Sequence, residues 1–232
     1  MARAARETGP KLSARERARR ALRRRLERRP RYSGPSINRL IPNILTMLGL
    51  CAGMIAVRFA FEGHFGQAGA MIVVAAVIDG LDGRVARLLK GTSLFGAEFD
   101  SLSDFLSFGV APALVLYLWA MQSVGPLFFL PSLIYAVALA LRLARFNAAL
   151  FEDPAQPKPV KPLFVHNFFT GVPAPAAAGL VMFPLFASQA LLEWGWLVTA
   201  QALRNPVFVA LVLVVVAGLA VSTLPSWSFK RV

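Results

Sequence analysis

The sequence predicts an all-α, polytopic membrane protein with six transmembrane helices behind a basic N-terminal arm. Of its 232 residues, 56% are hydrophobic and only 16% are charged, whereas a soluble domain of this length carries more charge. The apolar residues also fall into blocks of about 20, the length of helix that crosses the hydrocarbon core of a bilayer. These blocks are too long, and alternate too little, for the strands of a β-barrel.

Residues 1–37 form the predicted arm, which holds most of the net charge of +13. Fourteen Lys or Arg residues and only three Glu residues lie between Met1 and Arg39. Basic arms also occur in nucleic-acid-binding proteins, but in front of membrane spans such an arm is more typical of a segment that sets topology and touches anionic lipid headgroups. We therefore expect an interfacial helix or a disordered arm, and no nucleic-acid partner.

The membrane domain is predicted to cover residues 38–232. Its six apolar segments lie at 38–61, 66–89, 99–121, 126–148, 168–190 and 206–224. Six spans put both termini on one side, and a cytoplasmic arm places five more basic residues there: Lys90, Lys158, Lys161, Lys230 and Arg231. This distribution obeys the positive-inside rule, so we expect a multi-pass protein of a bacterial inner membrane with cytoplasmic termini.

The second and third segments carry acidic side chains that membrane helices normally lack. Asp79 and Asp82 lie near the end of the second segment, and Asp100 and Asp104 lie near the start of the third. Ionisable groups at membrane depth are costly unless they are paired, hydrated or metal-bound, so they indicate a functional site. Spacings of three and four put each pair on one helix face, and the predicted topology brings both faces to the cytoplasmic side.

Four converging carboxylates need compensating positive charge, and the sequence leaves three interpretations open. Arg84 and Arg87 would supply part of the charge in a structural salt-bridge network. A proton or ion pathway is a second use of such a cluster. A site for hard divalent cations is the third, and ligation by oxygen alone favours Mg²⁺ or Mn²⁺. No His or Cys lies between the first and last aspartate, so zinc is not expected.

The string DGLDGRVARLLKGTSLFGAEFDSLSD, from Asp79 to Asp104, resembles the signature of the CDP-alcohol phosphatidyltransferase family, D-x2-D-G-x2-A-R-x8-G-x3-D-x3-D. All eight fixed residues are present: Asp79, Asp82, Gly83, Ala86, Arg87, Gly96, Asp100 and Asp104. The resemblance implies a six-helix homodimer whose active site opens to the cytoplasmic leaflet. It also implies a pair of Mg²⁺ or Mn²⁺ ions held by Asp79, Asp82 and Asp100, with Asp104 near or on the metal and acting as general base.

The resemblance further implies that the donor substrate is CDP-diacylglycerol. Four signature residues would lie against its cytidine diphosphate, and the stretch PNILT at 42–46 resembles the family's nucleotide-facing element. The predicted donor-binding residues are therefore Asn43, Thr46, Asp79, Gly83, Ala86 and Arg87. Displacing CMP requires charge on two phosphates to be neutralised, which a metal pair beside a base can do.

Three further strings resemble the branch of the family that uses L-serine as the acceptor. They are FDSLSDFLSFGVAPA from Phe99, LRLARFN from Leu141 and GVPAPAAA from Gly171. Serine carries a carboxylate, and Arg142 and Arg145 are available to pair with it, while Asn147 offers a hydrogen bond. The expected products are phosphatidylserine and CMP.

Other functions remain open from the sequence alone. The same donor chemistry serves glycerol 3-phosphate, an inositol phosphate or choline as acceptor. A phosphorylated acceptor requires a denser basic cluster than two arginines, and choline favours an aromatic cage. An ion or proton transporter is the more distant alternative.

Overall fold

A computed structural model describes residues 37–89, 94–151, 168–222 and 225–227. All of them belong to one compact unit, Ile37–Val232. The predicted arm lies outside the described residues except for Ile37, so the division into an arm and a membrane domain stays a prediction. The same holds for the basic residues used in the topology argument: Lys90, Lys158, Lys161, Lys230 and Arg231.

Long helices dominate the described chain, as the apolar blocks predict. The elements are α1 (Ile37–Phe61), α2 (Phe65–Leu88), α3 (Leu94–Asp104), α4 (Ala111–Leu116), α5 (Leu130–Phe151), β1 (Phe168–Thr170), α6 (Ala174–Glu193), α7 (Leu197–Leu203), α8 (Pro206–Val221) and β2 (Pro225–Trp227). A 3₁₀ turn at Pro126–Phe129 leads into α5.

The third segment is one helical rod from Leu94 to Met121, but it is not α-helical throughout. A π-helical stretch, Phe105–Val110, separates α3 from α4, and a second one, Tyr117–Met121, ends the rod. π-Helical turns are rare and often occur at functional sites. The first stretch starts directly after Asp104.

Local sequence explains where several helices begin. The turn between α1 and α2 contains Gly63 with φ +79°, a backbone conformation that side chains other than glycine's rarely adopt. Helix α8 begins at Pro206 because the side chain of Asn205 accepts a hydrogen bond of 2.9 Å from the amide of Val207. Asparagine before a helix and proline at its first position both favour a start there.

Small residues allow the first three segments to pack closely. Helices α1 and α2 run against each other along their lengths, with small buried residues at the contact: Ala52, Ala56, Ala60, Ala68 and Ala75. A Cβ atom on Gly53 would lie 2.6 Å from Oγ of Ser107, so the third segment also approaches α1 at backbone distance. This packing places the end of α2 beside the start of α3.

The predicted fold class is confirmed, but the number of six spans is not. Within the described ranges, four helical segments are long and apolar enough to cross a membrane, or five if the pair α7 and α8, bent by 49°, counts as one. Helix α2 is not among them, and it carries Asp79, Asp82, Arg84 and Arg87 in its second half.

The predicted start of the fifth segment is wrong. We expected a helix from residue 168, but Phe168–Thr170 forms β1 and pairs with β2 in an antiparallel register that sets Phe168 opposite Trp227. Helix α6 begins only at Ala174, after Gly171 with φ +79° and Pro173. The seven-residue helix α7 was not predicted, because it has no long apolar run of its own.

Candidate active site

Three aspartates of the signature converge where α2 ends and α3 begins. One carboxylate oxygen from each of Asp79, Asp82 and Asp100 lies within 4.8 Å of an oxygen of the other two. Asp82 is only 4% exposed. Three like charges at these distances repel one another unless a cation or protons compensate them.

Asp104 lies one turn after Asp100 on the same helix. Its carboxyl group is within hydrogen-bonding distance of the Asp79 carboxyl group. Two carboxyl groups at that distance share a proton or a cation. All four predicted aspartates are therefore assembled at one place.

No arginine whose side chain the structure describes forms an ion pair with this cluster. Among the residues whose side chains are described, no Lys, Arg or His lies within ion-pair distance of the four aspartates. The ion pairs in this part of the chain are Arg58–Glu62 and His64–Glu62. They lie where α1 leads into α2, at the end of these helices away from the aspartates. This disfavours the salt-bridge network that Arg84 and Arg87 would have formed. An all-oxygen donor set with this excess of negative charge fits a hard divalent cation.

Helix α1 supports the cluster through Thr46, whose hydroxyl lies 2.8 Å from Oδ2 of Asp82 and 3.1 Å from the carbonyl oxygen of Pro42. Thr46 is itself only 6% exposed. The hydroxyl of Ser103 donates to the carbonyl of Thr46 at 3.3 Å. Ser103, on the third segment, thus binds the backbone of α1.

An open cleft of about 220 Å³ lies beside the aspartates. Its lining consists of Pro42, Asn43, Thr46, Asp82, Gly83, Ala86, Arg87, Gly96, Ala97 and Asp100. Five of the six predicted donor-binding residues are in this set, and the exception is Asp79. The nearest atom to a Cβ built on Gly83 is Nη1 of Arg87, 4.0 Å away, so a side chain at this position would project into the cleft.

Arg142 is the predicted acceptor residue that the structure brings to the aspartates. Its Nε atom is buried and has no hydrogen-bond partner in the part of the chain that the structure describes. Its guanidinium group interacts electrostatically with Asp104. A buried donor without a partner is costly, so this atom is suited to an anionic ligand.

The other two predicted acceptor residues make contacts elsewhere. Nη1 of Arg145 donates to the carbonyl oxygen of Val221, at the end of α8, over 3.0 Å. The amide of Asn147 donates to Oε2 of Glu98 at 3.2 Å and accepts from the hydroxyl of Ser101 at 3.0 Å. These contacts leave the serine-binding predictions for both residues untested. The hydrogen bonds of Asn147 also join α5 to α3, a contact that no sequence motif indicates.

Comparison with known proteins agrees with this geometry. The sequence profile of CDP-alcohol phosphatidyltransferases matches residues 39–217. A CDP-diacylglycerol–serine O-phosphatidyltransferase of Mycobacterium bovis is 47% identical over 157 residues, 68% of this chain and 52% of the relative. The protein of that name in Helicobacter pylori is 40% identical over 144 residues, 62% of this chain and 56% of the relative.

An archaeal relative differs in name. The archaetidylserine synthase of Methanothermobacter thermautotrophicus is 34% identical over 146 residues, 60% of this chain and 54% of the relative. The chain spans about half the length of the curated relatives it matches.

Proposed function

We propose that this chain, which belongs to the CDP-alcohol phosphatidyltransferase family, transfers the phosphatidyl group of CDP-diacylglycerol to the hydroxyl of L-serine. The products are phosphatidylserine and CMP. The observation that carries the proposal is the cluster of Asp79, Asp82 and Asp100, within 4.8 Å of one another, beside a cleft lined by predicted donor-binding residues. The choice of serine as the acceptor is supported by relatives whose names contain serine O-phosphatidyltransferase.

The aspartate cluster fits a pair of divalent metal ions, Mg²⁺ or Mn²⁺. Asp79, Asp82 and Asp100 would hold them, and Asp104 lies close enough to Asp79 to join. When bound, the metal pair neutralises charge on the pyrophosphate and on the leaving CMP. Thr46 keeps one Asp82 oxygen oriented through its 2.8 Å hydrogen bond, and such supporting bonds strengthen metal sites.

The donor headgroup fits the cleft between α1, α2 and α3. Asn43 and Thr46 would face the nucleotide from α1, while Ala86 and the side-chain-free surface of Gly83 admit it from α2. Arg87, which also lines the cleft, would pair with a phosphate oxygen. The acyl chains would remain in the lipid phase, since the described helices expose many large apolar side chains.

In the transfer step, Asp104 is the general base. It accepts the proton of the serine hydroxyl as the serine oxygen attacks the phosphorus that bears diacylglycerol. The new oxygen–phosphorus bond replaces the pyrophosphate bond, and CMP leaves with the bridging oxygen. Arg142 pairs with the serine carboxylate and fixes the hydroxyl near Asp104.

The chain is an integral, multi-pass membrane protein, as its apolar helices and its family indicate. We also propose that both termini and the cleft face the cytoplasm of a bacterial inner membrane, where serine and CDP-diacylglycerol meet. A homodimer is the proposed assembly, carried over from the family.

Purified protein in detergent is expected to release CMP from CDP-diacylglycerol when L-serine and Mn²⁺ or Mg²⁺ are present. EDTA should abolish CMP release, and added metal should restore it, because the metal ions carry the positive charge that neutralises the two phosphates. Glycerol 3-phosphate, inositol phosphate and choline serve as comparison acceptors. If CMP is released faster with one of them, that compound replaces serine as the acceptor. Ion flux across proteoliposomes that contain the same protein, without CMP release, would favour a transporter.

Thr46→Val is expected to raise the Mn²⁺ concentration needed for half-maximal turnover by about 10-fold, because Asp82 loses its hydrogen-bond donor. Thr46→Ser is the matched control, since it keeps the hydroxyl, and it should stay within about twofold of the wild type. Metal titrations of CMP release measure both values. An unchanged requirement in Thr46→Val would show that this bond does not support the metal site.

A further inference from the structure

The π-helical stretch Phe105–Val110 has an identifiable cause. Within it, the turn is widened: the amide of Ala111 donates to the carbonyl of Leu106, five residues back. The carbonyl of Phe108 cannot receive the usual α-helical hydrogen bond from the residue four positions on, because that residue is Pro112. Proline has no N–H, and its ring presses on this carbonyl.

Tyr135 of α5 supplies the missing donor. Its hydroxyl donates to the carbonyl oxygen of Phe108 over 2.8 Å. Tyr135 is fully buried, at 0% exposure, and a buried tyrosine hydroxyl needs such a partner. A side chain from a different helix therefore supplies the hydrogen bond that the Phe108 carbonyl in the widened turn does not receive from Pro112.

Neighbouring helices hold the same stretch at two further points. On the α1 side, the hydroxyl of Ser107 donates to the carbonyl of Gly49 at 3.4 Å. On the α5 side, a Cβ atom on Gly109 would lie 3.4 Å from Cβ of Leu139. The stretch is thus fixed relative to both α1 and α5, so its geometry determines the direction of what precedes it.

A widened turn changes where the aspartates point. Accommodating one extra residue per turn rotates the preceding helix by about 100°, one residue of α-helical rotation, relative to the part that follows. The part that follows is anchored in the core, where Val115 and Leu116 are fully buried. Without the widened turn, Asp100 and Asp104 would point away from α2.

We propose that Tyr135 is a positioning residue for Asp104: together with Pro112 it maintains the widened turn that directs the Asp104 carboxyl group toward Asp79. This inference rests on the proposed function, in which Asp104 accepts the serine proton. It assigns a role in turnover to a side chain that touches no substrate.

Tyr135→Phe removes the hydroxyl and keeps the ring. It should lower kcat by about 10-fold or more, while the KM for serine stays within about twofold, because a misdirected base affects the transfer step. The matched control is Ser188→Ala, which also deletes a buried hydroxyl that donates to a backbone carbonyl, that of Ala200 at 3.2 Å. Both variants should lose about 3–6 °C of Tm, but only Tyr135→Phe should lose kcat.

Pro112→Ala restores an N–H to the Phe108 carbonyl and permits the turn to close. We expect a loss of kcat at unchanged or higher Tm, together with a weaker affinity for Mn²⁺ alone, measured by electron paramagnetic resonance. In this background, Tyr135→Phe should cost less Tm than in the wild type, since the carbonyl has its second donor.

The outcomes separate the inference from the proposed function. A wild-type kcat in both Tyr135→Phe and Pro112→Ala would overturn the inference while leaving serine transfer intact. Wild-type protein that releases no CMP would end the proposed function. In that case the coupled Tm values and the weaker Mn²⁺ affinity of Pro112→Ala would still support the positioning role, and their absence would overturn it.

Discussion

Asp104→Asn is expected to lower kcat for CMP release by about 1,000-fold or more, with donor affinity within about threefold of the wild type. The amide has nearly the same shape as the carboxyl group but cannot accept the proton of the serine hydroxyl, and general base catalysis contributes about 10²–10⁴-fold. Asp104 also lies within hydrogen-bonding distance of Asp79, so the loss includes some support of the metal ligands.

Folding should survive this substitution. Replacing one carboxylate by a neutral amide relieves repulsion within an acidic cluster, which removes a destabilising interaction. The matched control is Glu98→Gln, because Glu98 is an exposed acid on the same helix that does not line the cleft. Glu98→Gln should retain the wild-type kcat.

Two measurements decide the role of Asp104. Single-turnover CMP release reports the transfer step, and titration with CDP-diacylglycerol in detergent reports donor binding. A wild-type rate in Asp104→Asn would remove Asp104 as the base. Loss of donor binding in the same variant would instead place Asp104 among the residues that hold the donor.

The aspartates of the site could be predicted because they lie close together in the sequence and because acidic side chains are costly in a membrane helix. Asp79 and Asp82 lie in an apolar helix, where acidic residues indicate a functional site. Asp100 lies near the start of the next helix, so the signature predicts that the end of α2 meets the start of α3. Asn43 and Thr46 are predicted only by the resemblance of the stretch PNILT at 42–46 to the family's nucleotide-facing element. The structure places both along the cleft.

Other contacts could not be predicted because they join distant parts of the chain. Arg145 and Val221 are 76 residues apart, and nothing in either neighbourhood indicates the partner. The sequence Phe168–Thr170 is apolar, so it looked like the start of a helix, but its backbone pairs with Pro225–Trp227 instead. Pairing between remote short segments leaves no periodic pattern to detect.

The π-helical stretch is an intermediate case. Pro112 was visible in the sequence, and a proline inside a helix always leaves one carbonyl without its donor. The sequence does not say how the carbonyl of Phe108 is satisfied, because the answer is a hydroxyl on α5. Only the packing of the third segment against α5 reveals the widened turn.

Arg142→Met is expected to raise the KM for L-serine by about 100-fold while the donor KM stays within about threefold. The Arg142 Nε atom is buried and has no hydrogen-bond partner among the described residues, so a serine carboxylate would gain a charge-assisted hydrogen bond there. Truncating one partner of such a buried charge pair costs about 2–5 kcal/mol. Arg145→Met is the neighbouring control: the Arg145 guanidinium already binds the Val221 carbonyl, so the serine KM should change less than threefold.

A comparison of two acceptors separates two effects of Arg142→Met: the loss of a partner for the serine carboxylate, and the loss of a positive charge near Asp104. Serinol replaces the carboxylate of serine by a hydroxymethyl group and keeps the nucleophilic hydroxyl. Wild-type protein should prefer serine over serinol strongly in kcat/KM, because a site built for a hydrogen-bonded anion rejects an analogue that lacks it. In Arg142→Met this preference should fall by about 100-fold. If both acceptors slow equally, Arg142 supports Asp104 rather than reading the acceptor, and the carboxylate must be bound elsewhere.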